Sequence, residues 1–430
     1  MTYSRNAALA NTRDDVFVRP VGSMERFFHL YAREHPRHFC VVAEISGDID
    51  ALDFQTAFDR VQRRHPMLSA YIAGDVRSGP SIFHCDHRKL PVAVVASTEP
   101  GDWHAIVERE LRTPFVDSEA PLMRATVLRA RRQATVVLTL HHALLDGLSA
   151  AVIVGDLLEA LNGHELKPLP ALPSLDQLLE EALLPHGQTI QTRAPAGVEA
   201  DKLRAIARMP LWRPFEGDRP IVSTVSFSAA EAERIRRRSR DESTTVHGAL
   251  CAALVRTAAK PANEVFTITS PVNARGVLGN VDAHAGSLFW MATVKLSAPF
   301  DRPFWDIARE VTDDMAYARA NDGMLRFVAA VGASVPPDAD TELACGLMGA
   351  FAYDAIVTNL GALPLPAEIG ALRLDAFWGP SVQGRFRNEI VIGAATLGKQ
   401  LRLIQTSPDH IAPLLESLRA DLLDACRDGQ

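Results

Sequence analysis

A chain of 430 residues with 47% hydrophobic and 23% charged residues has the make-up of an ordinary globular protein, and it exceeds the roughly 250 to 300 residues at which a single hydrophobic core stops growing. Its 45 basic and 52 acidic residues leave a formal charge of −7, which argues against broad binding to nucleic acid or to anionic membranes as the main task. Five cysteines, Cys40, Cys85, Cys251, Cys345 and Cys426, are scattered without a CxxC pair, so neither a disulfide framework nor a zinc cluster is encoded and a reducing, cytoplasmic setting is expected.

Met1 to Asp15 lacks the apolar centre of a signal peptide, and no stretch reaches the length of a membrane span. Val16 to Pro20 leads into a helix opening at Ser23-Met24-Glu25, with Ser23 as the expected cap. A strand over Phe39 to Ile45 and a turn at Gly47-Asp48-Ile49-Asp50 precede a helix from Ala51 to Arg64, whose end is set by His65-Pro66 because proline disfavours helical geometry in the residue before it. Met67 to Ile72, Ser81 to Cys85 and Pro91 to Ala96 read as strands, Asp102 to Leu111 as a helix, and Pro121 to Arg129 and Thr135 to Leu140 as the next two strands. A small-residue helix, Leu148 to Leu161, closes an α/β unit assigned to residues 1–170.

Prolines recur between residues 163 and 220, around a polar run from His186 to Gly197, so residues 171–220 read as a crossing linker with one or two short helices. Residues 221–430 restart with a strand, Ile221 to Phe227, and a capping box at Ser228-Ala229-Ala230-Glu231. Helices are expected over Val246 to Ala259, Phe304 to Ala320 and Ile411 to Cys426. Strands are expected over Glu264 to Pro271, Leu288 to Leu296, Asp354 to Val357, Leu372 to Phe377, Glu389 to Ala395 and Leu401 to Ile404. The fold class is α/β, in two similar halves, and a cleft between halves is the usual place for a site.

The stretch His141-His142-Ala143-Leu144-Leu145-Asp146-Gly147 sits where a buried strand hands over to a helix. Alternate strand residues face opposite sides, so only one of the two histidines can face a given site. Three chemistries fit these residue types. A metal centre lacks a third ligand at a recognisable spacing, and His84-Cys85-Asp86-His87 reads as a polar strand end, so no metal is expected. A nucleophilic serine would need a G-x-S-x-G elbow, which Gly147-Leu148-Ser149-Ala150-Ala151 does not complete. The third is general-base catalysis by one imidazole, with Asp146 fixing geometry and Gly147 leaving room for substrate beside the backbone.

His-His-Ala-Leu-Leu-Asp-Gly resembles the HHxxxDG signature of the condensation-domain superfamily, which includes nonribosomal peptide condensation domains, free-standing polyketide-associated acyltransferases and, more distantly, plant BAHD acyltransferases. Ser46-Gly47-Asp48-Ile49-Asp50 through Arg64-His65-Pro66-Met67-Leu68, and Pro114-Phe115 through Pro121-Leu122-Met123-Arg124, are similar to segments that precede that signature. Asn273-Ala274-Arg275 and Thr358-Asn359-Leu360-Gly361 are similar to its later N-x-R and S-N-x-G elements. Asp375-Ala376-Phe377-Trp378-Gly379-Pro380 matches the BAHD D-F-G-W-G element only loosely, so a plant-type coenzyme A mode does not carry over.

The resemblance implies two chloramphenicol-acetyltransferase-like α/β sandwich halves in a V-shaped pseudo-dimer with a central tunnel. It implies an acyltransferase that moves an acyl group from a thioester, on the phosphopantetheine of a carrier protein or on coenzyme A, to a hydroxyl of a polyketide or related specialised metabolite. No bound cofactor is expected; the thioester is a co-substrate. His142 would be the general base, Asp146 a scaffold charge paired with Arg275, and His141 a supporting residue. Asn273, Thr358, Asn359 and Trp378 are the candidates for positioning substrate or meeting an oxyanion. Expected partners are an acyl or peptidyl carrier protein, for which the basic run Arg234, Arg236, Arg237, Arg238 and Arg240 is one docking candidate, and an alcohol or amine acceptor; a monomer is expected. Amide-forming condensation in nonribosomal peptide assembly, and noncatalytic carrier-protein binding, are the alternatives.

Overall fold

The runs Phe39-Cys40-Val41-Val42-Ala43 and Val136-Val137-Leu138 are continuously apolar, which suits strands covered on both faces. In the computed structural model, residues 15–49, 52–74, 79–96, 103–183, 199–260 and 262–427 are described. Expectations for the first fourteen residues, for Asp50, Ala51 and Asp102, and for the run from His186 to Gly197 lie outside them. The first half comprises β1 (Val16–Pro20), α1 (Ser23–Glu34), β2 (His38–Gly47), α2 (Phe54–Arg64), β3 (Ala70–Ala73), β4 (Ser81–His84), β5 (Val92–Ala96), α3 (Trp103–Leu111), β6 (Met123–Ala130), β7 (Gln133–His141) and α4 (Gly147–Leu161). Helices α5 (Leu175–Leu183) and α6 (Ala200–Ala207) follow.

The second half contains β8 (Pro220–Phe227), α7 (Ala229–Asp241), α8 (Val246–Ala258), β9 (Val265–Asn273), α9 (Arg275–Leu278), β10 (Phe289–Ser297), α10 (Phe304–Arg319), α11 (Asn321–Ser334) and α12 (Thr341–Ala350). It ends with β11 (Ala355–Ala362), β12 (Glu368–Ile369), β13 (Leu372–Val382), β14 (Ile390–Leu397), β15 (Gln400–Pro408) and α13 (Leu415–Ala425). The strands form two six-stranded sheets, β12-β13-β2-β7-β6-β5 and β10-β9-β11-β14-β15-β8, with a small sheet β1-β4-β3. No helix among the described residues is long and apolar enough to cross a membrane.

Strand β13 belongs to the second half of the sequence but pairs antiparallel with β2, from Leu372 opposite Gly47 to Val382 opposite Phe39. Its far end lies close against β14 of the other sheet. A Cβ at Gly393 would stand 2.1 Å from the Pro380 carbonyl oxygen, so the approach requires glycine. Ser381 Oγ and Thr406 Oγ1, 2.6 Å apart, add a buried hydrogen bond across the same seam. The two lobes are therefore joined by main chain as well as by packing.

Several local expectations change. Gly22, not Ser23, is the N-cap of α1, because the Glu25 carboxylate accepts the Gly22 N–H at 2.7 Å while Arg19 grips both its oxygens at 2.7 Å. The Ser23 N–H instead donates to Asp176 Oδ2 at 2.9 Å. Pro66–Ser69 is a 3-10 turn rather than the start of a strand. Helices α11 and α12 were not anticipated from the sequence: glycines at 323, 332, 346 and 349 lower helix propensity, and packing supplies what propensity lacks. A Cβ at Gly346 would meet the Leu203 carbonyl oxygen at 2.1 Å, so this glycine lets α12 lie against α6.

Candidate active site

Strand β7 carries Val136, Leu138 and Leu140 into the core and ends at His141. The His142 N–H then bonds to the Arg37 carbonyl at 3.2 Å, and Asp146 caps α4 by accepting the Ser149 N–H at 2.7 Å. The two histidines diverge as the strand period requires.

Fully buried His141 accepts the Ala143 N–H at Nδ1 (3.2 Å), so its Nε2–H donates to Asp117 Oδ1 at 3.0 Å. His29 Nδ1 lies 2.8 Å from the other oxygen of Asp117. Burial pushes the Asp117 carboxyl up, but His141 and His29 more than offset it and hold it below the usual carboxylate range. Asp117 was not singled out in the sequence, although it lies within the Pro114 to Arg124 segment that resembles the family.

His142 faces the other way, into a cavity of about 420 Å³ between the lobes. Its ring stacks on Phe28 at 5.0 Å and 10° and packs at 4.9 Å from Phe39 and 5.1 Å from Phe289. Nδ1 is buried with no hydrogen-bond partner among the described residues, which leaves Nε2 as the nitrogen that can meet a substrate. Burial, reinforced by the Arg37 guanidinium and opposed by Asp146, lowers the His142 pKa to about 3. The imidazole is neutral at physiological pH.

Asp146 is 5% exposed and its two oxygens are saturated. Arg275 Nη1 donates to Oδ2 at 2.8 Å and Nη2 to Oδ1 at 3.1 Å, while the Leu288 N–H reaches Oδ2 at 2.9 Å. The Ser149 hydroxyl lies 2.9 Å from Oδ1 and 2.7 Å from the Gly286 carbonyl, between which its single proton is shared. Burial raises the Asp146 pKa, but Arg275 and the N–H donors override it and the carboxylate stays ionised. Arg275 and Leu288 come from the second half, so Asp146 ties the lobes together beside the cavity.

The remaining expected residues separate. Asn273 and Thr358 line the cavity, and the Asn273 side-chain oxygen accepts the Arg275 N–H at 3.0 Å. Asn359 also lines it, but its Oδ1 closes a turn on the Gly361 N–H at 2.9 Å. Trp378 does not fit an oxyanion role: it packs on the opposite face of β13 against Trp103, at 5.9 Å between rings, and its indole N–H is used by Glu44 at 2.7 Å. Gly147 lines the cavity, and a Cβ there would stand 2.7 Å from Pro380 Cγ and 2.8 Å from Leu360 Cδ2, so the close approach of these lining residues needs glycine. The Arg64-His65 pair holds helices together, both side chains reaching Asp156 Oδ2 on α4 at 2.7 Å. Within the basic run, Arg236 and Arg238 pair with Glu233 and Glu242 at 2.7 Å, while Arg234, Arg237 and Arg240 are exposed. Cys85 and His87 lie near Asp15, and none of the three lines the cavity. Sequence reasoning missed Arg37, which lines the cavity and sits in the polar stretch Arg33-Glu34-His35-Pro36-Arg37 where no periodicity marks it.

Known proteins share these features of sequence and fold. The condensation domain family matches residues 20–178, and the family described as phthiocerol/phthiodiolone dimycocerosyl transferase C-terminus matches residues 216–380. In both halves the chain is therefore similar to the condensation-domain superfamily. It is 32% identical over 140 residues to a linear gramicidin synthase of Brevibacillus parabrevis, covering 30% of this chain and 3% of that protein. It is 26% identical over 220 residues to tyrocidine synthase 3 of the same organism, covering 49% of this chain and 3% of the synthase. The chain thus spans only a few per cent of the length of these relatives. Among solved structures, the first condensation domain of the CDA synthetase superposes with a TM-score of 0.70 at 16% identity, covering 96% of this chain and 97% of that one. Polyketide synthase associated protein 5 from Mycobacterium tuberculosis superposes at 0.65 and 17%, covering 96% and 99%. Trichothecene 15-O-acetyltransferase from Fusarium sporotrichioides superposes at 0.69 and 13%, covering 96% of each chain. At these identities the superpositions establish the shared two-lobed fold.

Proposed function

We propose that this protein transfers an acyl group from a thioester to a hydroxyl, with His142 as general base. The observation that carries the reading is an imidazole facing the inter-lobe cavity, walled by Phe28, Phe39 and Phe289, a setting whose burial favours the neutral ring. The acceptor O–H gives its proton to Nε2 as its oxygen attacks the thioester carbonyl carbon. The tetrahedral adduct then expels the thiolate, which takes the proton back from the imidazolium, so no acyl-enzyme forms and the ring ends neutral. A low pKa keeps the base form populated but makes it a weak base, so the nearby Asp146 charge matters by favouring the transient imidazolium. A carrier protein or coenzyme A delivers the thioester, and Arg234, Arg237 and Arg240 offer an exposed basic face to an acidic carrier. Ester formation is supported by the likeness to a 15-O-acetyltransferase; the matches to peptide synthetases favour amide formation as the second reading.

Intact-mass analysis after incubation with an acyl thioester, with and without alcohol and amine acceptors, tests the proposal. The expected result is acceptor-dependent transfer that His142→Ala removes without loss of folding. Thioester loss without any acceptor points to a hydrolase, and no turnover of any kind to a binding protein; normal transfer by His142→Ala ends the base assignment.

A further inference from the structure

We infer that Arg37 anchors a carboxylate carried by the molecule that occupies the cavity beside His142. Arg37 is 4% exposed and lines that cavity, yet among the described residues its Nε and Nη1 have no hydrogen-bond partner. Buried guanidinium donors without acceptors are costly, so their retention points to a ligand that satisfies them. The nearest carboxylate does not. Glu389 Oε1 lies 3.9 Å from Nη1, beyond hydrogen-bond reach, and the Glu389 oxygens are taken by the Tyr353 hydroxyl at 3.0 Å and the Phe386 N–H at 3.2 Å.

Charge balance points the same way. Behind Arg37 and Glu389 lie Arg385 and Arg213, which share Asp218 at 2.6 and 3.1 Å. Three guanidiniums thus stand against two carboxylates in this group, a formal excess of one positive charge beside the cavity, while despite its burial Tyr353 and Glu389 keep Arg37 charged. Among the described residues lining the cavity, Arg37, Arg275 and Lys295 are cationic and Asp146 is the sole carboxylate, already consumed by Arg275. Apart from Tyr353, whose hydroxyl is turned to Glu389, the lining includes the apolar side chains of Phe28, Phe39 and Val382. The matching ligand has an apolar body and a carboxylate that accepts two parallel N–H bonds from the fork. Its charge would also offset the Arg37 field that helps to depress the His142 pKa.

This inference deepens the acyl-transfer reading by naming a group on its substrate, and it rests on that reading for the choice of molecules; binding without turnover keeps the two failures apart. Calorimetry compares two matched pairs on the whole protein: glutaryl against pentanoyl N-acetylcysteamine thioester for a donor carboxylate, and a long ω-hydroxy acid against its methyl ester for an acceptor carboxylate. In one arm the anionic member is expected to bind the wild type about tenfold more tightly or better, with the preference lost in Arg37→Gln and reduced in Arg37→Lys. Equal binding within both pairs in the wild type overturns the anchor without needing any variant, as does an undiminished preference in Arg37→Gln. A fall in turnover of neutral substrates in Arg37→Gln, with no carboxylate preference in the wild type, assigns Arg37 to the developing oxyanion and likewise overturns it. Carboxylate preference without transfer leaves the anchor standing and removes the acyl-transfer reading.

Discussion

Arg275, on the single-turn helix α9 of the second half, holds Asp146 at the head of α4 with both terminal nitrogens, at 2.8 and 3.1 Å. Both side chains are buried, at 4% and 7% exposure, so the pair joins the lobes where solvent cannot replace either partner. Arg275→Ala leaves the Asp146 charge facing a void and is expected to cost about 3 to 5 kcal/mol in unfolding free energy. Asp146→Asn keeps the Ser149 cap but strands the guanidinium, and should destabilise comparably. Denaturant titration of both variants and of the double variant gives the coupling. A fully stable Asp146→Asn protein with no transfer activity would instead assign Asp146 a direct chemical role.

Gly147 is a packing glycine. In Gly147→Ala the new methyl meets Pro380 on β13 and Leu360 on β11 at under 3 Å. One residue apart from Asp146, it tests the seam between lobes without touching a charge. Overpacking of this kind costs about 1 to 3 kcal/mol. Thermal melts should register the loss, and Leu360→Ala in the same chain should recover part of it; a melt unchanged by Gly147→Ala would show that the seam yields freely.

Much of this site was legible before the fold. The β-branched run ahead of His141 marked the strand, alternation separated the two histidines, and the motif pairing with Asn273-Ala274-Arg275 brought Arg275 toward Asp146. What escaped was set by long-range contact. Nothing local shows that Leu372–Val382 leaves its own half to pair with β2, since a strand's partner depends on register and not on composition. The glycine-rich helices α11 and α12 form because packing against α1 and α6 overrides propensity. Trp378 looked like a donor toward the reaction, but the pleat puts it on the face where Glu44 waits. Arg37 had no signal because its meaning comes from Glu389, Arg385 and Asp218, all far along the chain.

The pH dependence of transfer follows from the His142 environment. Its pKa, lowered to about 3 by burial and by Arg37, means that the base form exists throughout the neutral and mildly acid range. The acid limb of kcat/KM, which reports the free enzyme, should therefore lie far below the ordinary imidazole value of about 6.5. Rates between pH 8 and pH 5, measured with a neutral acceptor alcohol, should be nearly flat. A limb near the ordinary value in wild type, absent in Arg37→Gln or not, would show that His142 is not held in this environment.

Stability should vary with pH across the range in which activity does not. Burial lowers the pKa of His38 to about 3 and of His35 and His247 to about 4, alongside His142. For each, the folded ring stays neutral while the unfolded chain takes up a proton below about 6.5. Stability present above that value is therefore lost as pH falls toward 4, with a slope of up to about 1.4 kcal/mol per pH unit for each imidazole. Asp117, held low by His141 and His29, adds its own loss only as pH falls below the ordinary carboxylate range. Urea midpoints at pH 8, 7, 6 and 5 should fall progressively below pH 7. Replacing His247, whose Nε2 meets Ser270 Oγ at 3.1 Å, by Gln should remove one proton from the uptake and shallow the slope by a single imidazole's share. Constant midpoints between pH 8 and pH 5 would mean that these rings are not kept neutral by the fold.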